Sequence, residues 1–327
     1  MAKVNFMEQL ENDLREKKQL SESSIQAYLR NLKKLNNDEP LKNFNFLKNP
    51  DIILHRLNSY KETTKKNYIV SIVSALSLYD KPALQKLHKK YYALMEKKAE
   101  EIQKEIEKNE MTEPQEKNWI SWDNVLKRYS ELEDEVNGFY NSKLLSESQY
   151  NLLLAYVILS LYVHQVPRRN KDYQILYIVN NYSPELPKDR NYLSLGTKEF
   201  IFNIYKTSYK YGTQRISIND KLWEALLKYF KHHPNVQYKN NSPSVKAPTM
   251  FLVYANKTAL DKVNSITRIL NKIFDKNIGS SMLRHIFLSD KYGGMIESQK
   301  KDAYEMAHSL SMQKDYIKKP SAIIVKF

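Results

Sequence analysis

Ser281-Met282-Leu283-Arg284-His285, then Met306-Ala307-His308-Ser309, then Tyr316: these short runs in the last quarter of the chain decide how the rest is read. The first sets an Arg-His pair at the entry of an apolar helical pattern, the second a histidine beside a serine, the third a lone tyrosine. Guanidinium and imidazole groups donate hydrogen bonds to anionic oxygens, and a tyrosine hydroxyl can serve as a nucleophile. Cleaving a phosphodiester without a metal needs these parts: positive charge on the non-bridging oxygens, a proton donor for the leaving oxygen and a nucleophile.

A chain of 327 residues exceeds what one hydrophobic core commonly organises, so two domains are expected. Its 52 Lys and Arg against 37 Asp and Glu leave a formal net charge of +15. Such a surplus favours a polyanionic partner, because each Lys or Arg that meets a phosphate releases a condensed counterion. Nucleic acid is therefore the expected partner, and the resemblance given below narrows it to double-stranded DNA. The most apolar run, 152–163, is too short to cross a bilayer and reads as a buried helix, so no membrane partner is expected. Met1-Ala2-Lys3-Val4-Asn5 has no apolar signal core, and the expected location is intracellular, with DNA. With no cysteine there is no disulfide, no thiolate and no Cys-based zinc site; neither a metal nor a cofactor is expected.

Upstream, Phe6, Leu10 and Leu14 recur at helical spacing, and Ser21 or Ser23 can cap a helix facing inward through Ile25, Tyr28, Leu29, Leu32 and Leu35. Asn49-Pro50 starts a short helix, and Thr63 or Thr64 can cap a fourth. Residues 82–110 alternate Lys and Glu and become less apolar toward their end, the pattern of a connector that Thr112-Glu113-Pro114 stops. Ser121 can cap the next helix, and a long apolar helix covers 146–165. The β-branched or aromatic segments 174–179, 192–195, 199–205 and 215–218 read as small antiparallel strands. Asn219 starts a helix ended by Pro234; 260–274 is helical; Gly293-Gly294 reads as a break between an Arg284 helix and a His308 helix. The fold class expected is mainly α with a small antiparallel β-sheet, an α+β chain. The β-branched end, 322–327, is expected to add as a strand to a sheet edge.

The Arg284-His285, His308-Ser309 and Tyr316 runs, in this order, resemble the end of the tyrosine recombinases and integrases. Leu20-Ser21-Glu22-Ser23-Ser24-Ile25-Gln26-Ala27-Tyr28-Leu29-Arg30-Asn31-Leu32 looks like the opening of that family's core-binding domain. The resemblance implies a helical DNA-binding domain over 1–80, a helical linker over 81–112 and a catalytic domain over 113–327. It also implies a site of two arginines, a hairpin lysine, a histidine and the tyrosine. Arg284 and His308 would hold the phosphate and Tyr316 would attack it. The first arginine falls in Arg168-Arg169-Asn170-Lys171-Asp172, where Arg169 has the acid three residues on that the family carries, so Arg169 is preferred over Arg168. Lys206, followed by Thr207 on a hairpin, would protonate the leaving oxygen, with Lys210 in the turn as the alternative.

Two departures stand out. Ser281 occupies the family's histidine position in the second box; its hydroxyl can bond a phosphate oxygen but cannot act as a base near neutral pH. The step from His308 to Tyr316 is one residue shorter than is usual for the family. Lys33, Lys34, Lys65 and Lys66, with Lys210, are the expected DNA contacts outside the reacting centre. The activity implied is site-specific strand cleavage and rejoining through a 3′-phosphotyrosine, by a homotetramer on DNA. A type IB topoisomerase-like enzyme, or a catalytically impaired relative that only binds DNA, are the rivals.

Overall fold

In the N-terminal part, one apolar residue per turn is enough to seat a helix. α1 (Phe6–Lys18) buries Leu10 and Leu14. Ser21 then accepts a hydrogen bond from the Ser24 N–H and opens α2 (Glu22–Leu35), which buries Ile25, Leu29, Leu32 and Leu35 along one stripe. Asn49 caps α3 (Pro50–Arg56), with Pro50 in the first turn where its missing N–H costs nothing. α4 (Glu62–Leu76) starts after Lys61, slightly ahead of the threonines expected to cap it, and buries Ile69, Ile72 and Leu76. The polar Ser71 inside this core donates to the Asn67 carbonyl and accepts from Asn31. α5 (Pro82–Glu107), read from sequence as a connector, packs its first half on α4 with Leu87 and Tyr91 buried; the Tyr91 hydroxyl donates to the Leu47 carbonyl at 2.9 Å. These helices share one core.

The structure is a computed structural model that describes residues 5–18, 20–108, 110–309, 312 and 313. The chain divides into two compact units, Met1–Met111 and Thr112–Phe327. In the second, Thr112 forms a capping box with Gln115, so Thr112-Glu113-Pro114 opens a short helix, α6 (Glu113–Asn118); α5 has already ended at Glu107 and is not stopped by these residues as expected. Ser121 caps α7 (Trp122–Asn137) and Ser146 caps α8 (Glu147–Val163). α8 is apolar on nearly every side and is the central helix, with α7 packed against it. Among the described residues no helix is long and apolar enough to cross a membrane.

After α9 (Asn170–Gln174) come β1 (Leu176–Val179), β2 (Asn191–Ser194) and β3 (Glu199–Phe202). α10 (Ser208–Tyr211) is a single turn in the loop before β4 (Gln214–Ser217). Asn219 caps α11 (Asp220–His232). A separate hairpin joins β5 (Gln237–Lys239) to β6 (Ser242–Ser244) through Asn240 and Asn241, both at positive φ, the pairing that asparagine tolerates in a tight hairpin turn. β7 (Thr249–Met250) completes a sheet ordered β4-β3-β2-β1-β7. This sheet corrects the antiparallel expectation. β1 and β2 run parallel, Leu176 opposite Asn191 and Val179 opposite Ser194, whereas the other pairs are antiparallel. Residues 180–190 form the crossover that lets the second strand point the same way, as a tight hairpin could not.

α12 (Ser265–Phe274) and α13 (Ser280–Glu305) close the unit. α13 runs unbroken through Gly293 and Gly294, which overturns the expected break. Two glycines weaken a helix by about 1 kcal/mol each relative to alanine, but the flanking Lys, Glu, Gln and Ala are helix formers. It ends at Met306 in a complete Schellman motif: the His308 N–H donates to the Ala303 carbonyl and the Ala307 N–H to that of Tyr304, with Ala307 at φ 55°. His308 thus follows the helix end, and Ser309 caps what comes next: its Oγ accepts from the Met312 N–H at 3.3 Å and its carbonyl from the Gln313 N–H at 3.0 Å, with Met312 and Gln313 helical. Tyr316 and the expected strand at 322–327 lie outside the described residues.

Candidate active site

The apolar α8 ends at His164, and the next polar run, Arg168 to Asp172, is folded back against the sheet. Arg168 is spent on this fold. Its Nε donates to Asp172 Oδ2 at 3.0 Å and its Nη1 to Gln214 Oε1 at 2.9 Å, while the guanidinium lies 3.8 Å from the Phe202 ring centroid. Asp172 is buried, and burial pushes its carboxyl pKa up; the charge and hydrogen bond of Arg168, then the charges of Arg169 and Arg284, oppose that rise. The acid three residues beyond Arg169 therefore bonds Arg168. Arg169, half-buried at the start of α9, makes no ion pair among the described residues.

Arg284 lies in the second turn of α13 with its Nε donating to the Ser280 carbonyl at 3.2 Å. Burial pushes its pKa down, and the nearby charge of Arg169 adds to that; Tyr162 and Asp172 work the other way. The two arginines singled out from sequence thus stand within each other's field. Arg168 bonds the one buried carboxylate, Asp172, and the charges of Arg169 and Arg284 also act on it. The α13 N-terminus beside them has no side-chain cap and carries Ser280 and the exposed Ser281 in its first turn, so its free N–H groups add positive potential.

Residues that sequence reasoning missed hold this cluster in place. The buried Tyr162 hydroxyl donates to Asn170 Oδ1 at 2.7 Å, and Asn170 Nδ2 donates to Thr267 Oγ1 at 2.8 Å, tying α8, α9 and α12 together directly beside Arg169. Asn191, fully buried, donates to the carbonyls of Asp172 and Ile204 and accepts from the Ile204 N–H at 2.8 Å. With Gln214 held by Arg168, both roots of the β3–β4 hairpin are pinned to the Arg168–Asp172 segment. Lys206 and Lys210 ride on that hairpin, both exposed. The one signal for these partners was a polar run following directly on an apolar helix.

His308 is not brought to the arginines. From Arg284 to Glu305 is 21 residues (305 − 284) of continuous helix, about 31 Å at 1.5 Å per residue. In the N-terminal unit Lys33 is exposed and Lys66 half-buried, while Lys34 pairs with Asp38 at 2.9 Å and Lys65 with Glu62 at 2.7 Å. The surface clefts of 430 and 570 Å³ in the second unit include none of the three arginines. Comparison of the chain with family models, with curated proteins and with solved structures returns no match in any of the three.

Proposed function

We propose that this chain binds double-stranded DNA and breaks and rejoins its strands as a tyrosine recombinase does, through a 3′-phosphotyrosine. The observation that carries the reading is the meeting of Arg169 and Arg284 beside the uncapped start of α13, with the Lys206 hairpin pinned to the same segment. Forked guanidiniums on two elements can hold both non-bridging oxygens of one phosphate, and their charge counts most as the phosphorane forms. Lys206 is the proton donor for the leaving 5′ oxygen and Tyr316 the nucleophile. The bond energy stays in the phosphotyrosine ester, and a partner strand's 5′ hydroxyl reverses the step; exchange between two sites calls for a homotetramer.

A second reading, a relative that binds DNA without cleaving it, is favoured by the distance between Arg284 and His308 along α13 and by Ser281 in place of histidine. A nicked suicide duplex separates the two. The proposed enzyme leaves a covalent protein–DNA adduct that Tyr316→Phe abolishes while DNA affinity survives. Absence of adduct with the unaltered protein, alongside salt-dependent duplex binding, supports the second reading instead.

A further inference from the structure

The tip of the β3–β4 hairpin displays two large rings to solvent: Tyr209 is 88% exposed and Tyr211 60%. The loop that presents them is internally braced. The Tyr205 hydroxyl donates to the Gly212 carbonyl at 2.8 Å, Thr213 Oγ1 donates to Asn203 Oδ1 at 3.0 Å, and the Gly212 N–H donates to the Ser208 carbonyl at 2.8 Å. Gly212 sits at φ 65° with open space where a Cβ would be, so glycine is there for its backbone angle. From Phe200 to Gln214 there is no acidic residue, Lys206 and Lys210 are in the same loop, and Lys210 Nζ lies 5.3 Å from the Tyr211 ring centroid.

Exposed aromatic rings on a braced loop, interleaved with lysines and with no carboxylate in the same stretch, match one partner chemistry well: a base whose face is open, joined to a phosphate. We propose that Tyr209 and Tyr211 form a stacking platform for unstacked nucleobases of DNA, with Lys210 on the adjoining phosphate. A protein partner would gain from the rings but not from an all-basic rim. The inference rests on the DNA reading above for its place beside the arginines, but it concerns binding alone and is measured without cleavage.

The test is fluorescence anisotropy with an unstructured single-stranded oligonucleotide across a salt series, using the full chain and its Tyr209→Ala, Tyr211→Ala, Tyr209→Trp and Lys210→Ala variants. The exposure of these side chains leaves the fold intact on substitution. Each tyrosine-to-alanine change should weaken binding on the order of tenfold without altering the slope of log K against log salt, since no phosphate contact is lost. Tyr209→Trp should keep the affinity, and Lys210→Ala should lower the slope by about 0.7. Unchanged affinity in both alanine variants overturns the platform, as does a loss that tryptophan fails to restore. Adduct on the nicked duplex is scored separately: its absence sinks the cleavage reading and leaves the platform standing, and the converse holds equally.

Discussion

Replacing Gly293 and Gly294 together by alanine tests the helix that carries His308 away from the arginines. A Cβ at either position meets nothing within 4 Å, and neither glycine has positive φ, so the change introduces no clash and no strain. Glycine is about 0.8–1.0 kcal/mol less favourable than alanine inside a helix, so the pair should stabilise helical 280–305 by about 1.6–2 kcal/mol. Most side chains beyond Phe287 are exposed, hence the gain acts on local opening and not on global unfolding. Amide protons between 290 and 305 should then exchange about 15- to 30-fold more slowly. Exchange that is unchanged or faster would refute the continuous helix. If His308 must reach Arg284 for chemistry, α13 has to bend, and the glycine pair is where bending costs least. Stiffening it should lower adduct yield by a similar factor, because the competent state becomes rarer. Slowed exchange with undiminished adduct would show that cleavage does not require the bend.

The adjacent arginines should separate cleanly in stability and activity assays. Arg168→Ala strands the buried Asp172 carboxylate and should lower unfolding free energy on the order of 3 kcal/mol. Arg169→Ala or Arg284→Ala should cut adduct formation by on the order of 10² or more with a smaller change in DNA affinity, and equal losses in both would contradict their role at the phosphorane. His233, buried, is pushed down to about 4 from 6.5 by desolvation, against the opposing Met250 and Phe251 carbonyls. The unfolded chain therefore binds the extra proton first: the stabilisation is complete above pH 6.5, is lost as pH falls toward 4 and is flat below. Measured by urea unfolding, the advantage of the natural protein over His233→Gln should shrink by about 3 kcal/mol across that window, and a constant difference would count against it. Ala307→Gly should stabilise the end of α13 by about 1 kcal/mol, because Ala307 holds a left-handed conformation; slower amide exchange around His308 is the readout.

Local chemistry made most elements legible. Ser21, Asn49, Ser121 and Asn219 cap the helices they were read to cap, and the apolar run at 152–163 forms the central helix because nothing else in the chain could bury that much surface. The mainly helical α+β character followed from this. Strand direction did not, since Leu176 to Val179 and Asn191 to Ser194 have the same residue pattern whether paired parallel or antiparallel; only the crossover at 180–190 decides. Gly293-Gly294 misled because propensity is a weak prior that a long helix of good formers overrides. At the site, Arg169 and Arg284 are singled out by the resemblance, and the fold brings their charges within reach of each other. Which neighbour takes Asp172 could not be read from it: that depends on Phe202 and Gln214, far along the chain, which only the fold brings to Arg168.

That division between the two arginines has a physical cause. A guanidinium stacked on a ring and bonded to a carboxylate and an amide, as Arg168 is, has its charge offset; moving it toward a ligand would strand Asp172. Arg169 and Arg284 repel each other, and their places are held by the frame around them, Tyr162, Asn170 and Thr267 on one side and the start of α13 on the other. A frame that holds like charges together stores unfavourable energy until an anion arrives, and it spares the arginines the cost of ordering at that moment. Asn191 and Gln214 hang the roots of the β3–β4 hairpin, which carries Lys206 and Lys210, from the Arg168–Asp172 segment of the same frame. On the DNA reading proposed above, that attachment would let the arginines and the hairpin lysines meet neighbouring phosphates of one duplex together.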